Sequence, residues 1–148
     1  MKKKGKTKGL AMAKRFVLDS YALIGYLENE PFSERIERLL KQTRKGDCRL
    51  YLHAIQLGEV YYITLREQGQ NSADLAYARI KAFPLTFVDH IDENLLIMAN
   101  TLKANYPISY ADSFAAALAK IHECFLLSGD PEFKVLEKEE IIQVEWLS

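Results

Sequence analysis

Four acidic residues stand at positions from which their side chains could share one site. Asp19 directly follows a short apolar run, and Asp130 lies just past another. Asp112 begins the helical segment that leads into this second run, and Glu59 lies inside a helical segment with apolar neighbours. Because sites in open α/β sheets form beyond the carboxyl ends of the strands, we expect the four carboxylates to converge there.

Carboxylates held close together repel one another unless a cation neutralises them. A site made of oxygen ligands selects a hard divalent ion, so these acids favour Mg²⁺ or Mn²⁺ over zinc. The three histidines and two cysteines share no ligand spacing that would indicate a softer metal. Such an ion activates water and neutralises charge on a phosphate, so the chemistry implied is hydrolysis of a phosphate ester.

Each aspartate also has a purely structural interpretation. Asp19 could cap the helix that follows its strand, and Asp130 could cap the turn that follows it. Asp112 could complete a capping box begun by Ser109. Taken singly, capping explains each aspartate at least as well as function does. Glu59 has no such explanation, because a carboxylate on a partly apolar helix face needs a partner.

The elements that must position these acids alternate between strands and helices. Short apolar or alternating runs predict strands at residues 16–18, 49–53, 85–88, 124–127 and 141–144. Periodic segments and their end signals predict helices at residues 20–27, 31–45, 55–67, 71–83, 92–105, 113–122 and 133–136. Strands separated by helices imply an α/β fold with a mostly parallel sheet and helices on both of its faces.

Length and composition are those of one folded domain. The chain has 148 residues, of which 49% are hydrophobic and 27% charged, enough apolar material for a buried core. Two distant cysteines, Cys48 and Cys124, favour a reducing compartment. No apolar run is long enough for a membrane span or a signal peptide, so we expect a cytoplasmic location without membrane association.

Positive charge is concentrated at the start of the chain. Residues 1–15 contain seven of the 20 Lys and Arg residues and none of the 20 acids, so the remaining 13 basic and 20 acidic residues give the rest a formal charge of −7. The Lys- and Gly-rich segment 1–14 has no helical or strand period. We predict a disordered basic arm there, either a tail that attracts nucleic acid or a non-native extension, followed by a single domain at residues 15–148.

Four short segments, in this order, resemble the signature segments of PIN-domain ribonucleases. They are residues 16–20 (FVLDS), 57–60 (LGEV), 109–113 (SYADS) and 128–133 (SGDPEF). Within that family the chain is most similar to the VapC toxins of bacterial and archaeal toxin–antitoxin operons. The departures are mild: Gly58 stands where a bulkier residue is common, and the basic arm is not part of the pattern.

The resemblance implies a three-layer α/β/α sandwich and a Mg²⁺- or Mn²⁺-dependent endoribonuclease that hydrolyses RNA phosphodiester bonds. It also assigns catalysis and metal binding to one set of acids, namely Asp19, Glu59, Asp112 and Asp130. Ser20 and Ser128 match supporting hydroxyl residues of the family. The domain at residues 15–148 is therefore expected to be a PIN-like nuclease domain.

Two protein partners follow from the same resemblance. A cognate antitoxin would insert an Arg or Lys among the acids, and its apolar helix would cover a groove. We expect the first helices to line that groove around Ile24, Leu27, Ile36 and Leu40. A homodimer would form through the helices beginning near Asn71 and Asp92.

Other protein classes that gather acids at strand ends fit less well. A response-regulator receiver needs an adjacent acidic pair after its first strand, but Ser20 follows Asp19. A phosphatase of the DxDxT type needs an aspartate where this chain has Tyr21. The remaining alternative is a PIN-like module that only binds partners, and four intact acids argue against it because their mutual repulsion would serve no purpose.

Overall fold

The computed structural model describes residues 13–147, so residues 1–12 of the predicted arm lie outside the described part of the chain. The strands are β1 (Lys14–Leu18), β2 (Cys48–His53), β3 (Thr86–Val88), β4 (Phe125–Ser128) and β5 (Gln143–Trp146). The helices are α1 (Ser20–Leu27), α2 (Ser33–Lys45), α3 (Ala54–Gln68), α4 (Gln70–Lys81), α5 (Glu93–Asn105), α6 (Tyr110–His122) and α7 (Lys134–Lys138). A single 3₁₀ turn, Pro131–Phe133, precedes α7.

All five strands form one parallel sheet in the order β3-β2-β1-β4-β5. Alternate residues of the central strand face opposite layers of helices. Val17 belongs to one apolar core together with Phe114 of α6, whereas Leu18 belongs to a second core together with Leu23 of α1. The predicted α/β/α sandwich with a parallel central sheet is therefore confirmed.

Helix α6 begins three residues earlier than predicted, at Tyr110. The hydroxyl of Ser109 accepts a hydrogen bond from the backbone N–H of Asp112 at 3.1 Å and so caps the helix. Asp112 consequently lies in the first turn of α6 rather than just before the helix. This places its side chain at the carboxyl edge of the sheet.

The last strand begins two residues later than predicted because Ile141 takes part in the turn that terminates α7. Its backbone N–H bonds to the Leu136 carbonyl at 2.9 Å, and the Glu140 N–H bonds to the Glu137 carbonyl at 3.0 Å. Glu140 has a φ of +60°, so these bonds form the left-handed termination that commonly ends helices. Ile141 is thus unavailable for the sheet, and β5 starts at Gln143.

Because the strands are parallel, the junctions that follow β1, β2 and β4 all lie at one edge of the sheet. Asp19 follows β1 directly, and α3, which carries Glu59, follows β2 directly. The turn with Asp130 follows β4, the immediate neighbour of β1. Among residues 13–147, no helix combines the length and the apolar composition that a bilayer crossing requires.

Candidate active site

Asp19 is buried at the junction of β1 and α1, with 1% of its surface exposed. One carboxylate oxygen accepts a hydrogen bond from the backbone N–H of Ala22 at 2.9 Å, as a helix cap does. The other oxygen accepts a hydrogen bond from the hydroxyl of Ser128 at 2.5 Å. Capping therefore accounts for only one of the two carboxylate oxygens of Asp19.

Burial raises the pKa of Asp19 to about 7, well above the usual value for an aspartate. The hydrogen bonds from Ser128 and Ala22 act in the opposite direction, whereas the negative charges of Asp130 and Glu59 raise the pKa further. Both neighbouring charges therefore disfavour the ionised form of Asp19. The ionised form of Asp19 is therefore unfavourable unless a positive charge lies nearby.

Two serines connect the acids to one another. The hydroxyl of Ser128, which donates to Asp19, also accepts a hydrogen bond from the backbone N–H of Asp130 at 2.9 Å. Ser20 donates its hydroxyl hydrogen to Glu59 at 2.6 Å. Glu59 therefore has the partner that its position on a partly apolar helix demands, and that partner is the residue next to Asp19.

Asp112 and Asp130 come together with a third acid, Glu132. The three side chains each offer a carboxylate oxygen within 4.8 Å of the others. Asp19 and Glu59 are not members of this tight group. Asp112 is 4% exposed, Asp130 is half-buried and Glu132 is exposed, so the group opens from the protein interior to solvent.

The capping-box interpretation of Asp112 does not hold. Ser109 receives the N–H of Asp112, but its own backbone N–H donates to the carboxylate of Glu132 at 2.9 Å. In a capping box the carboxylate of Asp112 would accept the backbone N–H of Ser109, but here Glu132 accepts it instead. The carboxylate of Asp112 is therefore not used in capping. Asp130 does act as a cap, because it accepts the N–H of Glu132 at 3.0 Å.

The pKa values of Asp112 and Glu132 are shifted in opposite directions. Burial raises the pKa of Asp112, and the hydrogen bond to Glu132 and the charge of Asp130 raise it further. The same hydrogen bond from Asp112 lowers the pKa of Glu132. The two carboxyl groups therefore favour sharing one proton in the absence of a cation.

This donor set fits a hard divalent cation. The grouped ligand atoms are all carboxylate oxygens, and neither histidine nor cysteine belongs to the group of Asp112, Asp130 and Glu132. Within residues 13–147, none of these three acids, nor Asp19 or Glu59, forms an ion pair with Lys or Arg. The positive charge that buried carboxylates require is therefore not provided by the described side chains.

Sequence reasoning missed both Glu132 and Gln56. Glu132 lies inside the segment 128–133, but it differs from an ordinary first-turn acid only through its contact with Ser109 and its proximity to Asp112. Gln56 is fully buried; its side-chain oxygen accepts the backbone N–H of Ser20 at 3.3 Å, and its nitrogen donates to the Ala111 carbonyl at 2.7 Å. It therefore ties α3 to the residues that follow Asp19 and precede Asp112.

One cavity adjoins the acids, and a second groove lies beside α1 away from them. The cavity of about 410 Å³ contains Ser20, Glu59 and Asp130 in its lining and continues over Ile24 and Phe32. The second groove, of about 150 Å³, lies between α1, α3 and α4 and is lined partly by Ile24 and Leu27.

The predicted groove lining was wrong for two of its four residues. Ile36 and Leu40 are 1% and 4% exposed and pack in the core, because the face of α2 that carries them lies against the sheet. Ile24 and Leu27 do line a groove, as predicted.

Comparison with known proteins is consistent with this architecture. Residues 16–139 match the family model described as PIN domain. No curated protein sequence matches the chain significantly.

Several solved structures share the fold. VapBC2 from Rickettsia felis, bound to a promoter DNA fragment, superposes with a TM-score of 0.71 at 14% identity over 90% of this chain and 99% of that one. VapBC-1 from nontypeable Haemophilus influenzae gives 0.64 at 20% identity, covering 89% and 97%. VapC20 from Mycobacterium tuberculosis, a toxin that cleaves the sarcin–ricin loop, gives 0.64 at 14% identity, covering 81% and 93%. At these identities the likeness is one of fold.

Proposed function

Since this chain belongs to the PIN domain family, we propose that it is a Mg²⁺- or Mn²⁺-dependent endoribonuclease and the toxin of a toxin–antitoxin pair. One observation carries the proposal. Asp19 and Asp112 are buried next to Asp130, and no Lys or Arg among the described residues neutralises them. Buried like charges without a counter-ion are costly, so a bound cation is the simplest reason for the chain to keep them.

Asp112 and Asp130 would hold the ion, with Asp19 and Glu132 beside them. When bound, Mg²⁺ or Mn²⁺ supplies an activated water and neutralises charge on the phosphate. Ser128 orients Asp19 and fixes the backbone of Asp130 through its two hydrogen bonds. The proton that Asp112 shares with Glu132 must leave before all carboxylates can act as ligands, so cation affinity increases with pH.

RNA is the proposed substrate class. The acid group opens to solvent at Glu132 and borders a cavity of about 410 Å³ that begins at Ser20, so an unpaired or looped strand can reach it. The activity stated for the M. tuberculosis toxin, cleavage of the sarcin–ricin loop, supports the same class. Hydrolysis of an internal phosphodiester bond in the cytoplasm completes the proposal.

An antitoxin is the proposed protein partner. The solved relatives from R. felis and H. influenzae are VapBC proteins, and VapBC is a family of toxin–antitoxin systems, which supports a partner of the same kind. The groove along Ile24 and Leu27 would take an apolar segment of the antitoxin, while an Arg or Lys would replace the cation among the acids.

A homodimer is proposed through α4 and α5. These helices expose large apolar side chains, among them Leu75 at 63% and Ile97 at 60%. Several large apolar side chains exposed on two helices favour an interface between chains.

Cleavage of total RNA tests the nuclease proposal. Wild type should cleave RNA with Mn²⁺ and should not do so in EDTA. Asp112→Asn should lose a hundredfold or more in rate, on the order of 3 kcal/mol in barrier, because a ligand carboxylate is removed. Asp74→Asn, which changes an exposed acid on α4, is the matched control and should cleave at the wild-type rate.

Metal titration separates the enzyme from a module that only binds partners. Mn²⁺ should raise the melting temperature of wild type, and the rise should be much smaller in Asp112→Asn. If Mn²⁺ changes neither stability nor cleavage, the binding-only alternative is correct.

A further inference from the structure

The amino edge of the sheet, opposite the acids, carries a concentration of positive charge. Five exposed basic residues belong to it: Lys14, Arg15, Arg44, Lys45 and Arg49. Lys14 and Arg15 begin β1, and Arg49 is the second residue of β2. Arg44 and Lys45 end α2, immediately before the turn into β2. We call these five residues the basic edge.

Two members of the basic edge are direct neighbours on the sheet. Arg15 of β1 is in register with Arg49 of β2, so their side chains leave the sheet on the same side. Like charges directly opposite each other destabilise a strand pair. Within residues 13–147, neither arginine forms an ion pair with Asp or Glu. An anionic partner from outside the described chain would remove this repulsion.

The local charge balance of the basic edge is positive. Two acids, Asp47 and Glu123, lie in the turns that enter β2 and β4, the strands on either side of β1, so the five basic residues keep an excess of three charges there. Two further acids, Glu139 and Glu140, lie one strand farther away, in the turn that enters β5. Five further lysines precede Lys14 in the sequence, at positions 2, 3, 4, 6 and 8. The positive charge therefore continues from the folded sheet into the sequence before β1.

The basic edge and the acid group are electrostatically separate at physiological salt. Arg15 and Asp19 are four residues apart in sequence, with most of β1 between them. At a rise of about 3.3 Å per residue this corresponds to about 13 Å. The Debye length is about 8 Å under these conditions, so the acids screen little of the attraction that the basic edge exerts on an anion.

We propose that the basic edge binds the phosphate backbone of RNA at a distance from the cleavage site. The choice of RNA rests on the proposed nuclease function, while the affinity for phosphate rests on the charges alone. Acids that repel phosphates need attraction from elsewhere on the protein, and the basic edge provides it. A substrate that uses both edges must be long or folded enough to reach from one to the other.

Binding of a labelled single-stranded RNA in EDTA tests the inference without cleavage. The double variant Arg15→Gln with Arg49→Gln should weaken binding and lower the steepness of its salt dependence. Each lost phosphate contact reduces the slope of log K against log salt by about 0.7, so the double variant should lose about 1.4. The control, Arg66→Gln with Arg38→Gln, removes two exposed charges from α3 and from the second turn of α2, outside the basic edge, and should keep the wild-type slope.

A wild-type slope in the double variant would overturn the inference. If that variant melts at a lower temperature than wild type, Arg44→Gln with Lys45→Gln repeats the measurement on the helical part of the basic edge. Duplex DNA serves as a parallel probe, and tighter binding to DNA than to RNA would refute the assignment to RNA. Because cleavage plays no part in these measurements, a protein that binds RNA through the basic edge but never cleaves it would contradict only the nuclease proposal.

Discussion

Replacing Asp19 by Asn should stabilise the metal-free protein increasingly as the pH rises. Burial raises the pKa of Asp19 from 3.8 to about 7, so the folded protein holds a proton that the unfolded chain releases. The stability of wild type therefore falls as the pH increases through this interval. Asn keeps the size of the side chain and can still cap α1, but it has no charge to desolvate.

The magnitude follows from the shift in pKa. A difference of about three pKa units corresponds to about 4 kcal/mol when the carboxyl is fully ionised in both states. Part of this difference is already present at pH 5, because the unfolded carboxyl is ionised there. Between pH 5 and pH 8, the free energy of unfolding of Asp19→Asn relative to wild type should increase by about 2.5 kcal/mol.

Urea unfolding followed by circular dichroism, in EDTA at several pH values from 5 to 8, measures this difference. Asp89→Asn changes a carboxylate that is 89% exposed and should track wild type to within about 0.5 kcal/mol throughout. A constant difference between Asp19→Asn and wild type would refute the reasoning, because a carboxyl buried as described must titrate differently in the folded and unfolded states. Loss of the hydrogen bond from Ser128 would lower all values for the variant equally and leave the slope intact.

Three further predictions follow from the site and the sequence. Gln56→Ala should lower the free energy of unfolding by about 1–3 kcal/mol and raise the Mn²⁺ concentration needed for half-maximal cleavage. Gln68→Ala, at the exposed end of α3, is the control and should do neither. A loss of stability with unchanged Mn²⁺ dependence would limit Gln56 to a packing role. The rise in melting temperature caused by Mn²⁺ should be larger at pH 8 than at pH 6, because the proton on Asp112 competes with the cation, and calorimetry that finds equal affinities would contradict the shared proton. Deletion of residues 1–13, which removes five lysines, should weaken RNA binding mainly at low ionic strength; an unchanged salt slope would mean that the segment takes no part.

The sequence by itself determined the order and type of the elements. Strand and helix periods, the Gly46 stop and the caps at Ser109 and Asp130 are local features, so a reading of neighbouring residues finds them. The apolar run at residues 16–18 likewise predicted that Asp19 follows a buried strand. Because parallel strands share one carboxyl edge, this predicted that the four acids lie at the same edge, but not that Glu132 joins Asp112 and Asp130.

Tertiary structure alone decided which side chains complete the site and which are buried. Glu132 contacts Ser109 across 23 residues, Gln56 contacts Ala111 across 55, and Ser128 contacts Asp19 across 109. A helical pattern shows that a residue such as Ile36 faces something apolar, but it does not distinguish a core from a groove. These choices depend on how separate elements pack, and packing is set by contacts between residues far apart in the chain.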